Sequence, residues 1–181
     1  MLRLIAKILL KITGWTVIPG FPGVDRSVVV AAPHTSAVDA FYCKLAFLIW
    51  DVPHVFLIKK DQFRFPKYIL MRILHAIPVG VEGQNVIHET VGILNGNPRM
   101  HIIICPEGTR QANARWNPGF YIIAKRAGVP ITSFKIDYLN KRMCMTGILP
   151  DDSIRNCLRA IAETHVDAHP RHSSQFIPPE Y

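Results

Sequence analysis

The chain has 181 residues, a length that fits one domain and is enough to bury a core without disulfides or metals. Hydrophobic residues make up 49% of it and charged residues 19%, which excludes an intrinsically disordered protein. The 21 Lys and Arg outnumber the 13 Asp and Glu, and the net charge of +8 favours an anionic partner such as nucleic acid, a membrane surface or a phosphorylated substrate. The four cysteines form no CxxC pair, so we expect free thiols in a reducing compartment.

The first segment, residues 1–13, is predicted to be a basic amphipathic helix. Arg3, Lys7 and Lys11 recur every four residues and form one cationic stripe, while apolar residues cover the rest of the helix. Gly14 is a typical helix stop. Such a helix either lies in a membrane interface or packs on the core with its lysines reaching solvent, and both interpretations stay open. We expect neither a spanning helix nor a signal peptide, because charges interrupt every apolar stretch.

The rest of the chain alternates apolar β-type runs with helical patterns. This alternation predicts a single α/β domain over residues 14–168, with a mostly parallel or mixed central sheet flanked by helices. The predicted strands are 27–32, 54–58, 77–79, 101–105, 130–136 and 143–147. The predicted helices are 37–50, 66–74, 84–94, 119–127 and 153–165. The last residues, 169–181, are predicted to be a disordered, solvated tail.

A histidine and an aspartate flank the turn between the first buried strand and its helix, as His34 and Asp39 in His-Thr-Ser-Ala-Val-Asp. The carboxyl end of a strand is a favoured place for functional sites in α/β sheets. A five-residue step across such a turn can fold the carboxylate back onto the imidazole, where it would fix the tautomer and stabilise the imidazolium. A His–Asp pair without a Ser or Cys nucleophile indicates a general base for a substrate hydroxyl. The alternative is a histidine that only caps the helix.

A second polar cluster, Pro106-Glu107-Gly108-Thr109-Arg110, follows another apolar strand. Gly108 permits an unusual backbone conformation, and Arg110 offers a planar fork for phosphate or carboxylate. The alternative is a polar turn with a solvated ion pair. Patterns typical of nucleotide sites and of serine hydrolases, GxGxxG, the P-loop and GxSxG, do not occur in the sequence.

Taken in order, these patterns resemble the glycerolipid acyltransferase family. The order is HxxxxD, a basic segment, a strand with PEGTR, and then Val129-Pro130-Ile131, over roughly residues 14–150. Gly14-Trp15 and Asp137-Tyr138 resemble a compact bacterial branch of the family. The resemblance implies an enzyme, similar to 1-acylglycerol-3-phosphate acyltransferases, that moves a fatty acyl group from acyl-CoA or acyl-acyl carrier protein to a hydroxyl of a lysophospholipid or glycerol-phosphate-like acceptor.

The resemblance also implies a role for each matching residue. His34 is the implied general base and Asp39 the carboxylate that orients it. The implied substrate-binding residues are Lys59, Glu107, Gly108, Thr109 and Arg110, with Arg110 contacting phosphate. No metal or cofactor is implied, since the acyl thioester is a co-substrate. The implied partners are membrane lipid and the acyl carrier (coenzyme A or acyl carrier protein), and the implied location is peripheral, on the cytoplasmic face of the inner membrane.

One stretch departs from the family pattern. The second motif usually ends in an acidic residue and an arginine that helps hold the acceptor phosphate, whereas here it reads Ile77-Pro78-Val79-Gly80-Val81-Glu82. Without that arginine, phosphate binding weakens unless another cation, such as Lys60 or Arg72, substitutes. A second departure is Asn117-Pro118, where the compact branch often carries a lysine. The alternative function is therefore a non-catalytic or altered-specificity lipid-binding relative whose acceptor is not lysophosphatidic acid.

Three further patterns carry weaker expectations. The aromatic and aliphatic run 63–70 either lines an acyl channel, touches lipid or packs as an ordinary helix, and we favour ordinary packing. His165, His169 and His172 have a spacing compatible with a metal site, but Pro170 breaks the helix between them, so we expect no metal. Nucleic-acid binding is not expected, because the basic residues are spread along the chain without an aromatic–basic recognition module.

Overall fold

The computed structural model describes residues 1–80 and 85–181. This part of the chain folds as a seven-stranded sheet flanked by helices. The strands are β1 Thr16–Val17, β2 Arg26–Ala32, β3 His54–Lys59, β4 Ala76–Val79, β5 Met100–Ile104, β6 Ile131–Asp137 and β7 Arg142–Ile148. The α-helices are α1 Leu2–Thr13, α2 Ala37–Trp50, α3 Lys67–Ile73, α4 Val86–Asn95, α5 Gly119–Ala127 and α6 Ile154–Thr164. Short 3-10 turns lie at Lys60–Gln62 and Ser173–Gln175.

The sheet is mixed, with the strand order β1-β7-β6-β2-β5-β3-β4. All neighbouring strands are parallel except β6 and β7, which form the antiparallel pair. This architecture confirms the predicted α/β fold with a mostly parallel or mixed sheet. The two-residue strand β1 was not predicted, because two residues are too few to show a period.

Strand β2 lies in the centre because its apolar run is buried on both faces. Val28, Val29 and Val30 are fully buried, as a parallel strand covered by helices on both sides requires. It pairs with β5 on one side and β6 on the other, both in parallel. The carboxyl ends of β2, β3, β5 and β6 therefore meet at one edge of the sheet, where the two polar clusters of the sequence follow β2 and β5.

Alternate side chains of β2 enter two separate cores. Val29 joins a cluster with buried residues of α1, α2 and α3, whereas Val28 and Val30 join a cluster with buried residues of α4, α5 and α6. This alternation is the period-two pattern of a strand. Helices α1, α2 and α3 thus cover one face of the sheet, and α4, α5 and α6 cover the other.

The N-terminal helix packs on α2 through a narrow stripe. Its buried residues are Ala6 and Leu10, while the three basic residues of the predicted stripe and most of its apolar residues are exposed. Gly14 ends the helix with a left-handed backbone (φ 74°), as predicted. Helix α4 begins at Val86 with Asn85 as its N-cap, so the predicted start of this helix lies outside the described residues. No helix in the described ranges is long and apolar enough to cross a membrane.

Candidate active site

The turn between β2 and α2 brings His34 and Asp39 together. Helix α2 begins with a capping box, in which the Ser36 hydroxyl accepts from the backbone at the helix start and the Asp39 carboxylate accepts from the Ser36 N–H. This cap fixes Asp39 on the first helical turn with its carboxylate facing the loop. His34 Nδ1 lies 3.3 Å from Asp39 Oδ2. A carboxylate at Nδ1 favours the tautomer in which Nδ1 carries the proton and Nε2 is free to accept one.

The Asp39 carboxylate is buried and fully hydrogen-bonded. It is 5% exposed, and its Oδ2 accepts from the backbone N–H groups of Thr35 and Ser36, each at 2.8 Å. Its Oδ1 accepts from the Tyr138 hydroxyl at 2.5 Å. Three donors therefore hold the carboxylate in one orientation against His34, whose side chain is 20% exposed and reaches the surface of a cavity.

Tyr138 follows β6 and stands 99 residues from Asp39 in the sequence. Burial and the neighbouring Asp39 carboxylate raise the pKa of Tyr138 far above its ordinary value, so the phenol stays protonated and acts as a donor. Its ring packs edge-on against Trp15, with the ring centroids 4.9 Å apart. No role in the site was predicted for Tyr138 from the sequence. Its only signal was the string Asp137-Tyr138 within the resemblance.

Glu107 binds the backbone of the loop that carries His34. Its side chain is buried (6% exposed), and Oε1 accepts from the His34 backbone N–H at 2.9 Å. Oε2 is buried without a hydrogen-bond partner among the described residues. Burial is the main cause that raises the pKa of Glu107 to about 7, against the lowering effect of the His34 N–H. The loop after β5 is thereby joined to the loop after β2.

The remaining predicted binding residues line the same cavity. Gly108 adopts a left-handed backbone (φ 65°), which favours glycine at this turn. Lys59 at the end of β3, Thr109 and Arg110 lie along the cavity wall with Gly108. Lys59 and Arg110 are exposed and make no ion pair within the described ranges.

The two substitute cations considered from the sequence are placed elsewhere. Lys60 and Arg72 do not line the cavity, and the Arg72 guanidinium lies over the Tyr68 ring, 5.9 Å from its centroid. Val81 and Glu82, the altered end of the second motif, lie outside the described residues. Asn117, the second departure, lines the cavity just before α5, and its Oδ1 accepts from the Gly119 N–H at 2.8 Å.

The cavity has a volume of about 460 Å³ and two chemically different ends. Its polar end carries the His34–Asp39 pair, which we call the dyad, and the PEGTR loop 106–110. Its apolar wall includes side chains from α2, β3, α3, β5 and β6, namely Cys43, Phe56, Leu70, Met71, Leu74, Ile103, Phe134 and Ile136. An apolar recess that ends at a few polar groups is suited to an amphiphilic ligand, with its alkyl part inside and its polar part at the dyad.

Two of the three C-terminal histidine side chains, those of His165 and His169, have separate partners. His165 is buried in the core, where its Nδ1 lies 2.9 Å from the Ile161 carbonyl oxygen and its Nε2 3.3 Å from the Ser133 hydroxyl. His169 faces Asp137, with Nδ1 3.4 Å from Oδ1. The described residues contain no group of His, Cys, Asp and Glu side chains arranged to hold a metal ion.

The segment 169–181 crosses both loops of the site, and the prediction of a disordered tail is wrong. The His172 N–H donates to the Thr35 hydroxyl at 3.3 Å. The Gln175 amide nitrogen, oriented by its acceptors, donates to the carbonyl oxygens of Thr35 at 3.0 Å and Arg110 at 2.9 Å. Beyond it, the Phe176 ring packs near Trp116 and joins the core of α4, α5 and α6. Two of these bonds are made to loop carbonyls and one to a hydroxyl, and a sequence pattern does not reveal such contacts.

Comparison with known proteins agrees with this arrangement. The family model described as Acyltransferase matches residues 10–137, about 70% of the chain, including both polar clusters. Among solved structures, the chain is similar to the 1-acyl-sn-glycerophosphate (LPA) acyltransferase PlsC from Thermotoga maritima, with a TM-score of 0.57 and 17% identity, covering 90% of this chain and 73% of that one. At this identity the likeness supports the fold. A search of curated proteins finds no match. The extent of the family match and the shared fold together show that the chain belongs to the acyltransferase family.

Proposed function

We propose that this acyltransferase moves a fatty acyl group from an acyl thioester, acyl-CoA or acyl-acyl carrier protein, to a hydroxyl of a lysophospholipid or glycerol-phosphate-like acceptor. One observation carries the proposal: the His34–Asp39 pair lies where an apolar cavity meets two exposed cations, Lys59 and Arg110. The cavity accommodates an alkyl chain and the cations attract an anionic headgroup. The pair between them would act on the hydroxyl that joins the two parts.

In this mechanism His34 is the general base and Asp39 orients it. Nε2 of His34 takes the proton of the acceptor hydroxyl while its oxygen attacks the thioester carbonyl carbon. As the tetrahedral intermediate collapses, the C–S bond breaks and the leaving thiolate takes the proton from the imidazolium. The ester and the free thiol are the products, so atoms and charges balance. Asp39 stabilises the imidazolium between these steps, as in other His–Asp pairs.

The cations divide the binding of the headgroup. The planar guanidinium of Arg110 can bind two phosphate oxygens at once, whereas Lys59 acts as a point charge. Since Val81 stands where relatives carry an arginine, the phosphate of lysophosphatidic acid would have one fewer bidentate partner. We therefore propose poor use of that acceptor, with a raised KM, and altered acceptor specificity.

The membrane is the proposed source of the acceptor. The exposed Arg3, Lys7 and Lys11 of α1 lie beside exposed apolar residues on the same helix, a combination that suits an anionic lipid interface. We place the enzyme on the cytoplasmic face of the inner membrane as a peripheral protein. This location rests on the thioester donors, which are made inside the cell.

The test is thiol release from acyl-CoA and from acyl-acyl carrier protein by the purified chain, with lysophosphatidic acid, a neutral lysophospholipid and glycerol 3-phosphate as acceptors. We expect acceptor-dependent thiol release and a new ester that mass spectrometry detects, and Arg110→Ala is expected to impair anionic acceptors more than neutral ones. Tight, efficient use of lysophosphatidic acid would contradict the proposed specificity. Lipid binding without thiol release from either donor would instead support the non-catalytic relative, which the altered second motif favours.

A further inference from the structure

Helix α3, together with Phe65 just before it, carries an exposed apolar stripe. We define the outer stripe as Phe65, Ile69 and Ile73, which recur every four residues and are 86%, 58% and 57% exposed. Tyr68 lies beside them and is 46% exposed. The favoured sequence interpretation of the run 63–70, ordinary helix packing, is wrong for Phe65 and Ile69, because more than half of each side chain is exposed.

The opposite side of the same helix lines the cavity. Leu70, Met71 and Leu74 form part of the apolar cavity wall, and Met71 and Leu74 are almost fully buried. The helix is therefore apolar on its outer and its inner face. The inner apolar side chains are covered by the core, whereas those of the outer stripe are left in water unless another apolar surface covers them.

The charges around the outer stripe are almost all positive. Within residues 60–73 the basic side chains are exposed, and Asp61 is the only acidic residue. These basic residues are Lys60, Arg64, Lys67 and Arg72. Apolar side chains ringed by cations match a bilayer interface, in which anionic headgroups lie above the acyl chains.

A second apolar surface lies on the same face of the sheet. Ten of the sixteen large hydrophobic side chains that are exposed in the described ranges belong to residues 1–12 and 65–73. Both segments carry helices, α1 and α3, that pack into the same core cluster beside α2. Two separate apolar surfaces on one face of the molecule match an extended planar partner better than a small protein that docks at one point.

We propose that the outer stripe is a second membrane-contact surface, which inserts into the interface of an anionic bilayer next to the cavity. Helix α3 then holds the cavity at the lipid surface, so that a lysophospholipid enters the cavity from the bilayer with little of its acyl chain exposed to water. The inference rests on the proposed function for its biological sense. Its physical claim, that α3 binds an anionic lipid surface, does not require acyl transfer.

The test compares two double variants by sedimentation with sucrose-loaded vesicles of phosphatidylglycerol and phosphatidylcholine, 1:1, with no acyl donor present. Ile69→Gln/Ile73→Gln removes part of the stripe and leaves the cavity wall intact. The matched control, Ile148→Gln/Val166→Gln, removes two apolar side chains of comparable exposure (58% and 82%) elsewhere. We expect the stripe variant to bind vesicles at least about tenfold more weakly and the control to bind like the wild type.

Two further measurements separate the alternatives. Thiol release with a short-chain, water-soluble acceptor is expected to stay within about twofold in the stripe variant, while transfer to a vesicle-embedded acceptor falls with vesicle binding. Replacing Arg64 and Lys67 by Gln is expected to weaken binding to the anionic vesicles and leave the weaker binding to pure phosphatidylcholine unchanged.

Several results would overturn the inference. One is a stripe variant that binds vesicles as tightly as the wild type. Another is an equal loss of vesicle binding in the stripe variant and in the control. A loss confined to acyl-acyl carrier protein as donor would assign the stripe to an acidic carrier protein. A wild-type dimer that the stripe variant abolishes would assign it to a second copy of the chain. A wild type that binds vesicles through the stripe but releases no thiol would contradict the proposed function and leave this inference standing.

Discussion

His34 owes its proposed role to neighbours that hold its loop rather than to the ring alone. Its backbone N–H is bound by Glu107, and its Nδ1 faces an Asp39 carboxylate with three other donors. None of these bonds involves Nε2, the nitrogen that the mechanism requires. Removing the ring takes away the Nδ1–Asp39 contact but leaves the Glu107 bond and the three other bonds of the Asp39 carboxylate, which hold the turn.

The first prediction concerns this ring. His34→Ala is expected to lower kcat by about 10²–10⁴, the usual contribution of a positioned general base, with little change in the free energy of unfolding. Thiol release gives the rate, and urea unfolding gives the stability. His88→Ala, which removes an exposed histidine of α4, is the control and should leave both unchanged. Normal transfer by a folded His34→Ala protein would rule out the mechanism.

The second prediction concerns Tyr138 as a positioning residue. Tyr138→Phe keeps the ring packed on Trp15 but removes the donor to Asp39, so kcat is expected to fall several-fold. The carboxylate that loses this donor presents more charge to His34, and the acidic limb of the kcat/KM profile is expected to move to higher pH. A purely structural role would lower stability without moving the profile.

Tyr42→Phe is the matched control for that measurement. The Tyr42 ring also packs on Trp15, with centroids 4.3 Å apart, and its hydroxyl makes no hydrogen bond within the described ranges. The control should keep the wild-type pH profile. An unchanged profile in Tyr138→Phe as well would show that Asp39 does not need the phenol.

At the scale of elements, the sequence predicted most helices and strands because their apolar periods are long enough to read. The buried run of β2 and the start of α2 were evident from residues 27–39, and with them the His34–Asp39 turn. Contacts between distant elements were not evident. Tyr138 reaches Asp39 from the end of β6, and Gln175 reaches two loop carbonyls through its amide, and neither contact leaves a periodic pattern.

The third prediction tests the C-terminal segment as a tie between the two loops. Gln175→Leu keeps a side chain of similar volume but removes the amide nitrogen. The carbonyl oxygens of Thr35 and Arg110 then lose the hydrogen bonds that this nitrogen donates. Two neutral hydrogen bonds contribute about 1–3 kcal/mol together, so we expect looser loops and a rise in the KM for an anionic acceptor that exceeds the change in kcat. Steady-state kinetics with an anionic and a neutral acceptor measure this difference.

Ser174→Ala is the control, because Ser174 is exposed and lies next to Gln175. It should leave both kinetic constants unchanged. Equal KM values in the wild type and in Gln175→Leu would mean that the loops hold their positions without the tie.

The fourth prediction concerns α1. Changing Arg3, Lys7 and Lys11 together to Gln is expected to weaken binding to anionic vesicles, since each nearby cation contributes about 1 kcal/mol, and the loss should be larger at low salt. Vesicle sedimentation at two salt concentrations measures both effects. The control removes three exposed cations elsewhere, Arg99, Arg126 and Arg155. Unchanged binding in the α1 variant would favour the helix as ordinary packing.

Across the whole molecule, the proposed membrane contacts lie on the face of the sheet where α3 also lines the cavity. The dyad and the cations lie at the carboxyl edge of β2, β3 and β5, while the two exposed apolar helices cover one face. Trp15 connects these regions, because it follows α1 and packs on Tyr138. The net charge of +8 agrees with an anionic surface as the common partner of both helices.

Buried histidines dominate the pH dependence that we expect for the stability of the whole fold. Burial lowers the pKa of His54 and of His101 to about 4, and it also lowers the pKa of the core residue His165. Between pH 6.5 and 4 the unfolded chain therefore binds more protons at these sites than the folded chain, so stability falls as the pH falls through this range. Glu107 acts in the opposite direction, because burial raises its pKa to about 7 and its ionisation destabilises the fold as the pH rises from 4.5 to 7.

The fifth prediction follows from this balance, in which at least two histidines oppose one carboxyl group. The free energy of unfolding is expected to fall by about 1–2 kcal/mol per pH unit as the pH is lowered from 6 to 5. Glu107→Gln removes the opposing group. The free energy of unfolding of this variant should therefore fall more steeply with decreasing pH than that of the wild type, by the slope that corresponds to nearly one bound proton. Urea unfolding of both proteins at pH 5, 6 and 7 measures the two slopes. Equal slopes would mean that Glu107 ionises in the folded protein as it does in water, and a flat wild-type curve would mean that the buried histidines take up protons without unfolding.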